Sequence, residues 1–337
     1  MKSVTRIENI SSESKIAIYL TEDEGSPLLG LALANALKKR YQQHNVIWIG
    51  DLSSEELLLK SPSVDEFHSL SSIKKESFFS DNKIEIIFFL SRWNPLAKLA
   101  KKAKVPHRIT FKESFKDRWL YSQTLQRDLN LPLYKQYLQF ASFLDGEIEE
   151  DSAMNFPYPD EYDRLMQFKG TIKKDAVNLI LMPYKKGAKW IYPLPNYFDL
   201  VEKLPRYRFQ FFILGSEQDG EMIRKYQPNL FYPPSVTDMT GKLSSEETYD
   251  FIAAADGLVS FDHTSLQLAA ELKISAFGII SPKHKNHFLP NEKLQLLFNE
   301  KEECNCVTPP CKCQQTYPVE DLIQHVLNTF GETEDIE

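Results

Sequence analysis

The stretch from Leu258 to Leu272 limits the fold more than any other part of this chain. Leu258, Val259 and Phe261 form the apolar end of a strand. Asp262, Thr264 and Ser265 are side chains that accept hydrogen bonds from the open amides of a helix start. Leu266, Ala269, Ala270 and Leu272 then supply the packed side of that helix. Ile274 to Ile280 is apolar again and β-rich, which predicts a second strand. The whole is a strand–helix–strand unit with a polar crossing at the carboxyl end of its first strand. Open parallel sheets place ligands at such crossings, and a helix start there holds phosphate. The same residues also describe an ordinary capped helix with no ligand.

The rest of the chain repeats this alternation. Lys15 to Leu20 reads as a strand, Thr21 to Pro27 as a polar turn, Leu28 to Tyr41 as a helix with a basic end, and Val46 to Gly50 as the next strand. Ser53 to Lys60 is a short helix, residues 61–80 a Ser-rich loop with at most one short strand, and Ile84 to Leu90 a strand. A helix runs from Pro95 to Lys104, and His107 to Phe111 is a short strand. Residues 115–145 read mainly as helix, with Leu125, Leu129 and Leu133 as core positions. Residues 146–170, acidic and then Pro-containing, are expected to link two domains, 1–165 and 166–337. In the second, strands are expected at Ala176 to Met182 and Phe209 to Gly215. Helices are expected at Leu194 to Leu204, Glu217 to Tyr226, Ser244 to Ala255 and 318–330. This alternation predicts an α/β protein of two doubly wound domains facing across a cleft.

Composition narrows the function classes. With 47 acidic against 40 basic side chains the net charge is −7, the wrong sign for a dedicated nucleic-acid binder. Glycine, 12 in 337 residues, is at about half its usual share. Neither G-x-G-x-x-G nor a Walker loop occurs, so any nucleotide is held by other means. The polar start and the lack of a run of about 18 apolar residues lead us to expect a cytoplasmic protein, with peripheral contact at the inner membrane left open. Lys98, Lys101, Lys102, Lys104, His107, Arg108, Lys112, Lys116 and Arg118 concentrate positive charge in the first half. They suit an anionic acceptor at a membrane surface, or simply a solvated face.

Several ordered segments carry a family resemblance. They are Thr237-Asp238-Met239-Thr240-Gly241-Lys242-Leu243-Ser244, Ala253 to Val259, Asp262 with Leu268 to Leu272, and Phe277 to Pro282. Weaker matches are Met182-Pro183-Tyr184 with Lys189, Tyr192-Pro193, Tyr197-Phe198, Ile213-Leu214-Gly215 with Glu221, and the opening Ile16 to Tyr41. This succession resembles the lipopolysaccharide heptosyltransferases of glycosyltransferase family 9, which have the GT-B fold of two Rossmann-like domains. The resemblance implies transfer of heptose from ADP-heptose to a lipopolysaccharide or other surface-glycan acceptor. It further implies an acceptor-side first domain, a nucleotide-sugar-binding second domain, and no cofactor required for transfer. Two landmarks depart from the family. Gly25-Ser26 falls where the family has Gly-Asp, its proposed general base. The family's D-S-G-x-x-H stands here as Asp262-His263-Thr264-Ser265-Leu266-Gln267.

Site residues follow from the chemistry of sugar transfer. The acceptor hydroxyl must lose a proton, and the leaving diphosphate must be stabilised. Asp23, Glu24 and His263 are the candidates for the first task, or an acidic loop and a locally bonded histidine. Lys189, and after it Lys185 or Lys186, can offset the diphosphate charge. Thr240, Gly241, Lys242, Thr264 and Ser265 can offer donors to it. Glu221 suits the nucleoside, and Asp262 the sugar hydroxyls or the helix cap. Cys304, Cys306, Cys311 and Cys313 can hold a structural zinc, with His284 and His287 nearby, or stand as thiols or a disulfide. The departures also allow a relative that binds glycan or nucleotide, or scaffolds a partner, without transfer. A two-domain sugar-nucleotide epimerase is a third reading.

Overall fold

The computed structural model describes residues 6–7, 10–11, 13–21, 26–92, 94–144, 168, 170–188, 191–300 and 311–331. It divides into two compact units, Met1–Pro157 with Asn286–Leu289, and Tyr158–Lys285 with Pro290–Glu337. Most of the linker expected at 146–170 lies outside the described residues.

The first unit is built on β1 (Lys15–Tyr19), β2 (Val46–Gly50), β3 (Glu66–Ser69), β4 (Ile84–Phe89), β5 (His107–Phe111) and β6 (Gln123–Leu125). All pairings are parallel, in the order β3-β2-β1-β4-β5-β6. The second unit uses β7 (Val177–Met182), β8 (Phe209–Ile213), β9 (Val236–Asp238), β10 (Gly257–Ser260), β11 (Ser275–Ile279) and β12 (Leu294–Leu297). It too is parallel, in the order β12-β11-β10-β7-β8-β9. Each unit thus places its own first strand beside its own fourth, the doubly wound order whose winding reverses between those two strands.

Covered on both faces, the inner strands are apolar without alternation. Ile47, Trp48 and Ile49 of β2, and Phe209, Phe211, Phe212 and Ile213 of β8, are fully buried or nearly so. Helices cover the sheets. The first unit has α1 (Leu31–Arg40), α2 (Glu55–Leu59), α3 (Ser77–Asp81), α4 (Asn94–Lys102) and α5 (Leu133–Leu138). The second has α6 (Leu194–Lys203), α7 (Glu217–Tyr226), α8 (Ser245–Ala254), α9 (His263–Glu271), α10 (Lys312–Gln315) and α11 (Val319–Phe330).

The segment 115–145 corrects the helical expectation. It holds a 3-10 turn at Phe115–Trp119, strand β6, helix α5 and a second 3-10 turn at Gln139–Phe143. The cause is local. Asp128 Oδ1 accepts from the Asn130 amide at 3.0 Å, an Asx turn that competes with helix, and Pro132 starts a new helix behind it. Leu133 is buried as expected, Leu125 is half-buried, and Leu129 is 75% exposed. The stretch 61–80 contains the one short strand expected, β3, and runs into the five-residue α3.

Candidate functional site

In the second sheet the winding reverses between β7 and β10, and Met182 lies opposite Ser260 at their carboxyl ends. In open parallel sheets the carboxyl ends of two such strands, where the winding reverses, are where ligands bind. Asp262 caps α9 there. Its Oδ2 accepts from the Ser265 amide at 2.9 Å and from the Ser265 hydroxyl at 2.5 Å. Its Oδ1 accepts from Lys185 Nζ at 2.9 Å. The Asp262 side chain is 15% exposed and that of Lys185 is 43% exposed. Burial alone would raise the Asp262 pKa. The Lys185 ammonium and the Ser265 hydroxyl and amide outweigh it, so the carboxyl is held below its usual range.

At the expected phosphate seat the first amides of α9 are already engaged. Asp262 itself takes the Ser265 amide through its carboxylate and the Leu266 amide, at 3.1 Å, through its carbonyl. A negative side chain already complements this helix start. One carboxylate thus caps α9 through Oδ2 and holds Lys185 through Oδ1.

Neighbouring loops brace this pair. Asp219, in a capping box with Ser216, accepts from the Lys186 amide at 2.7 Å. Lys186 Nζ donates to Gln218. The Gly241 amide donates to the Gly215 carbonyl at 3.0 Å. Gly241 has φ +70°, and a Cβ there would stand 3.0 Å from the Glu217 Cα, so the turn requires glycine. Thr240 is buried and serves the same turn, its amide and hydroxyl donating to Asp238 Oδ1 at 2.9 and 2.7 Å. Arg224 pairs with Asp238 Oδ2, and Lys242 Nζ donates to the Asp238 carbonyl. Thr240 and Lys242 are thus tied to Asp238.

Other expected residues fall as follows. His263 stands in the first turn of α9, its ring edge-on to His284 at 5.1 Å. Thr264 is half-buried beside it, and Glu221 is exposed on α7. Gln267, in the register of the family histidine, is buried and donates to Glu271 at 3.2 Å. Asp23, Glu24, Lys189, Cys304 and Cys306 lie outside the described residues. Cys311 and Cys313 are buried around α10. Among the described residues no three His, Cys, Asp or Glu side chains cluster to hold a metal.

The first sheet reverses between β1 and β4. Beyond their ends Thr21 and Ser91 bond to each other, the Thr21 amide donating to Ser91 Oγ at 3.0 Å. Ser26, in the register of the family aspartate, is buried and caps the following 3-10 turn by accepting from the Leu28 amide at 3.3 Å. Nearby, Arg92 donates to Glu113 at 2.7 Å and to buried Asp117 at 2.5 Å. Burial would raise the Asp117 pKa, but the amides of Ser114 and Glu113 and the Arg92 charge lower it overall. Burial pushes the neighbouring Tyr121 hydroxyl up to about 12. Sequence reasoning passed over Arg92, Glu113, Asp117 and Asp219. The Ser–x–x–Asp spacing at Ser114–Asp117 and Ser216–Asp219 was the available signal.

No family model and no curated protein matches the sequence. Solved structures do match. Against E. coli ADP-heptose LPS heptosyltransferase II the TM-score is 0.71 at 15% identity, covering 93% of this chain and 98% of that one. Against a family 9 glycosyl transferase from Veillonella parvula it is 0.76 at 12% identity, covering 96% and 98%. The fold is that of the family 9 glycosyltransferases. Its two Rossmann-like units are those of the GT-B architecture expected from the sequence. An E. coli heptosyltransferase solved with ADP gives 0.67 at 10% identity, covering 93% and 99%. A UDP-GlcNAc 2-epimerase from Methanocaldococcus jannaschii matches with a TM-score of 0.52 at 11% identity, covering 94% and 100%. Among the described residues no helix is long and apolar enough to cross a membrane.

Proposed function

We propose that this chain is a GT-B glycosyltransferase that moves a sugar from a nucleoside diphosphate to a glycan acceptor. The observation that carries the reading is the Lys185–Asp262 pair, set where the second sheet reverses its winding. In the transfer, the acceptor oxygen bonds to the anomeric carbon as the bond from that carbon to the diphosphate breaks. Lys185 offsets the charge growing on the diphosphate. Asp262 keeps the lysine aimed and accepts from a hydroxyl of the donor sugar. Thr240, Gly241, Lys242, Thr264 and Ser265 shape the same end of the sheet, and Glu221 faces the nucleoside. Asp23 or Glu24, with His263 as the further candidate, takes the acceptor proton. No cofactor takes part in this chemistry, and a zinc on Cys304, Cys306, Cys311 and Cys313 would serve only to close a loop. The likeness to structures named as ADP-heptose and LPS heptosyltransferases supports heptose as the sugar and a lipopolysaccharide or related surface glycan as the acceptor.

Calorimetric titration with a panel of ADP-, UDP- and GDP-sugars tests this, followed by transfer assays. Lys185→Ala is expected to weaken donor binding by about tenfold or more, as loss of a charged phosphate contact of about 1.5–3 kcal/mol requires. Asp262→Ala is expected to lower kcat. Absence of binding by every sugar nucleotide would overturn the proposal. Ser26 supports a second reading, because a buried capping serine fills the register of the family base. In that reading the chain binds donor but does not transfer, and Asp23→Ala and Glu24→Ala change nothing.

A further inference from the structure

Between β5 and β6 the chain makes the 3-10 turn Phe115–Trp119. Its inner side is pinned. Ser114 and Asp117 form a capping box, and Asp117 is buried against Arg92. Its outer side carries two large apolar rings, Phe115 at 71% and Trp119 at 63% exposure. The Arg118 guanidinium lies 3.7 Å from the centre of the Phe115 ring and 5.7 Å from that of Trp119. Lys101 of α4 donates to the Trp119 carbonyl at 2.5 Å, which brings the lysine-bearing end of α4 to the turn. Lys98 and Lys102 on the same helix are exposed, as are Lys112 before the turn and Lys116 in it.

The charge here runs against the rest of the molecule. Between Asn94 and Trp119 stand eight Lys and Arg against two acidic residues, in a chain of net charge −7. Both acidic residues, Glu113 and Asp117, are engaged by Arg92. Two exposed aromatics on a pinned turn, rimmed by cations, need a surface that is apolar beneath and anionic on top. A lipid bilayer with acidic headgroups has that layering: aromatic rings settle at headgroup depth, and lysines and arginines meet the phosphates. A protein partner fits less well, because lysine is depleted in such interfaces. A second copy of the chain would set like charges face to face.

We propose that the Phe115–Trp119 turn, with Lys101, Lys112, Lys116 and Arg118, docks this protein peripherally on an anionic lipid surface. The proposal does not depend on sugar transfer, so either can fail without the other. The test is co-sedimentation of the full chain with phosphatidylcholine vesicles, with or without one third phosphatidylglycerol. The chain is expected to bind the anionic vesicles alone, less as salt shortens the reach of the charges. Phe115→Ala with Trp119→Ala is expected to lower that binding by about tenfold or more, with an unchanged thermal midpoint. Lys112→Gln with Lys116→Gln, which leaves the rings in place, is expected to lower it by roughly fivefold per charge. No binding of the unaltered chain to anionic vesicles would overturn the proposal, as would unchanged binding by both double variants. A concentration-dependent dimer that the ring substitutions abolish would assign the face to a second copy and overturn it equally.

Discussion

At the scale of single residues, Asp262 is asked to cap a helix and to hold a lysine with one carboxylate. Its folded pKa is depressed, so its ionised form is favoured by folding. The resulting stability is complete above the ordinary carboxylate value of about 3.9 and is lost as pH falls through the lower folded value. Asp262→Asn keeps a capping side chain but removes the charge. It is expected to cost about 1 kcal/mol at neutral pH, from the ion pair and the helix dipole together. Urea titrations should show the gap from the unaltered protein narrowing between about pH 5 and about pH 3. A gap that stays constant across that range would mean the Lys185 pair does not form. Gly241 tests the neighbouring turn. Gly241→Ala meets both a positive φ and the Glu217 backbone, and is expected to cost about 1–3 kcal/mol in thermal unfolding.

At the scale of elements, the corrected segment gives a register test. Leu129→Asp is expected to change stability by less than about 0.5 kcal/mol, because Leu129 faces water. Leu133→Ala, four residues on, removes a buried side chain from the first turn of α5 and is expected to cost about 2–4 kcal/mol. A continuous helix over this stretch, as the leucine spacing suggests, would put both in the core. The central strands were legible because they are buried on both faces and read as unbroken apolar runs. The helices after them were legible because their apolar period is long enough to recognise. The 3-10 turn at Phe115–Trp119 and the edge strands β6, β9 and β12 span three to five residues, too short to establish a period, and the edges are mostly half-buried. The site divides the same way. Asp262 announces itself as a cap at a strand end. Lys185 does not stand out from Lys186 and Lys189, because five consecutive residues hold three lysines and only the pairing of β7 with β10 selects one.

At the scale of the whole molecule, both units repeat one winding order, so each has one reversal point. Among the described residues the second unit sets an opposite-charge pair across its reversal, Lys185 after β7 and Asp262 after β10, while in the first the Thr21 and Ser91 hydroxyls meet there and the adjacent Arg92 is paired with Glu113 and Asp117. If the donor is a sugar nucleotide, hydrogen exchange should register it in the second unit. Amides in 182–188, 214–220, 238–242 and 260–267, the loops that brace the pair, are expected to slow when donor is added. At a hundred times its Kd the donor is expected to add about 2.7 kcal/mol to the stability of the state it binds. Lys185→Ala, with a Kd about tenfold weaker, should cut this to about 1.4 kcal/mol at the same donor concentration, read against the ligand-free variant so that the loss of the Asp262 pair itself cancels. Protection centred on residues 21, 91 and 92 instead would move the donor to the first unit and overturn the assignment of Lys185. The physical basis is charge: the diphosphate carries its negative charge wherever it binds, and the cation beside the hydroxyl pair, Arg92, is already neutralised by Glu113 and Asp117.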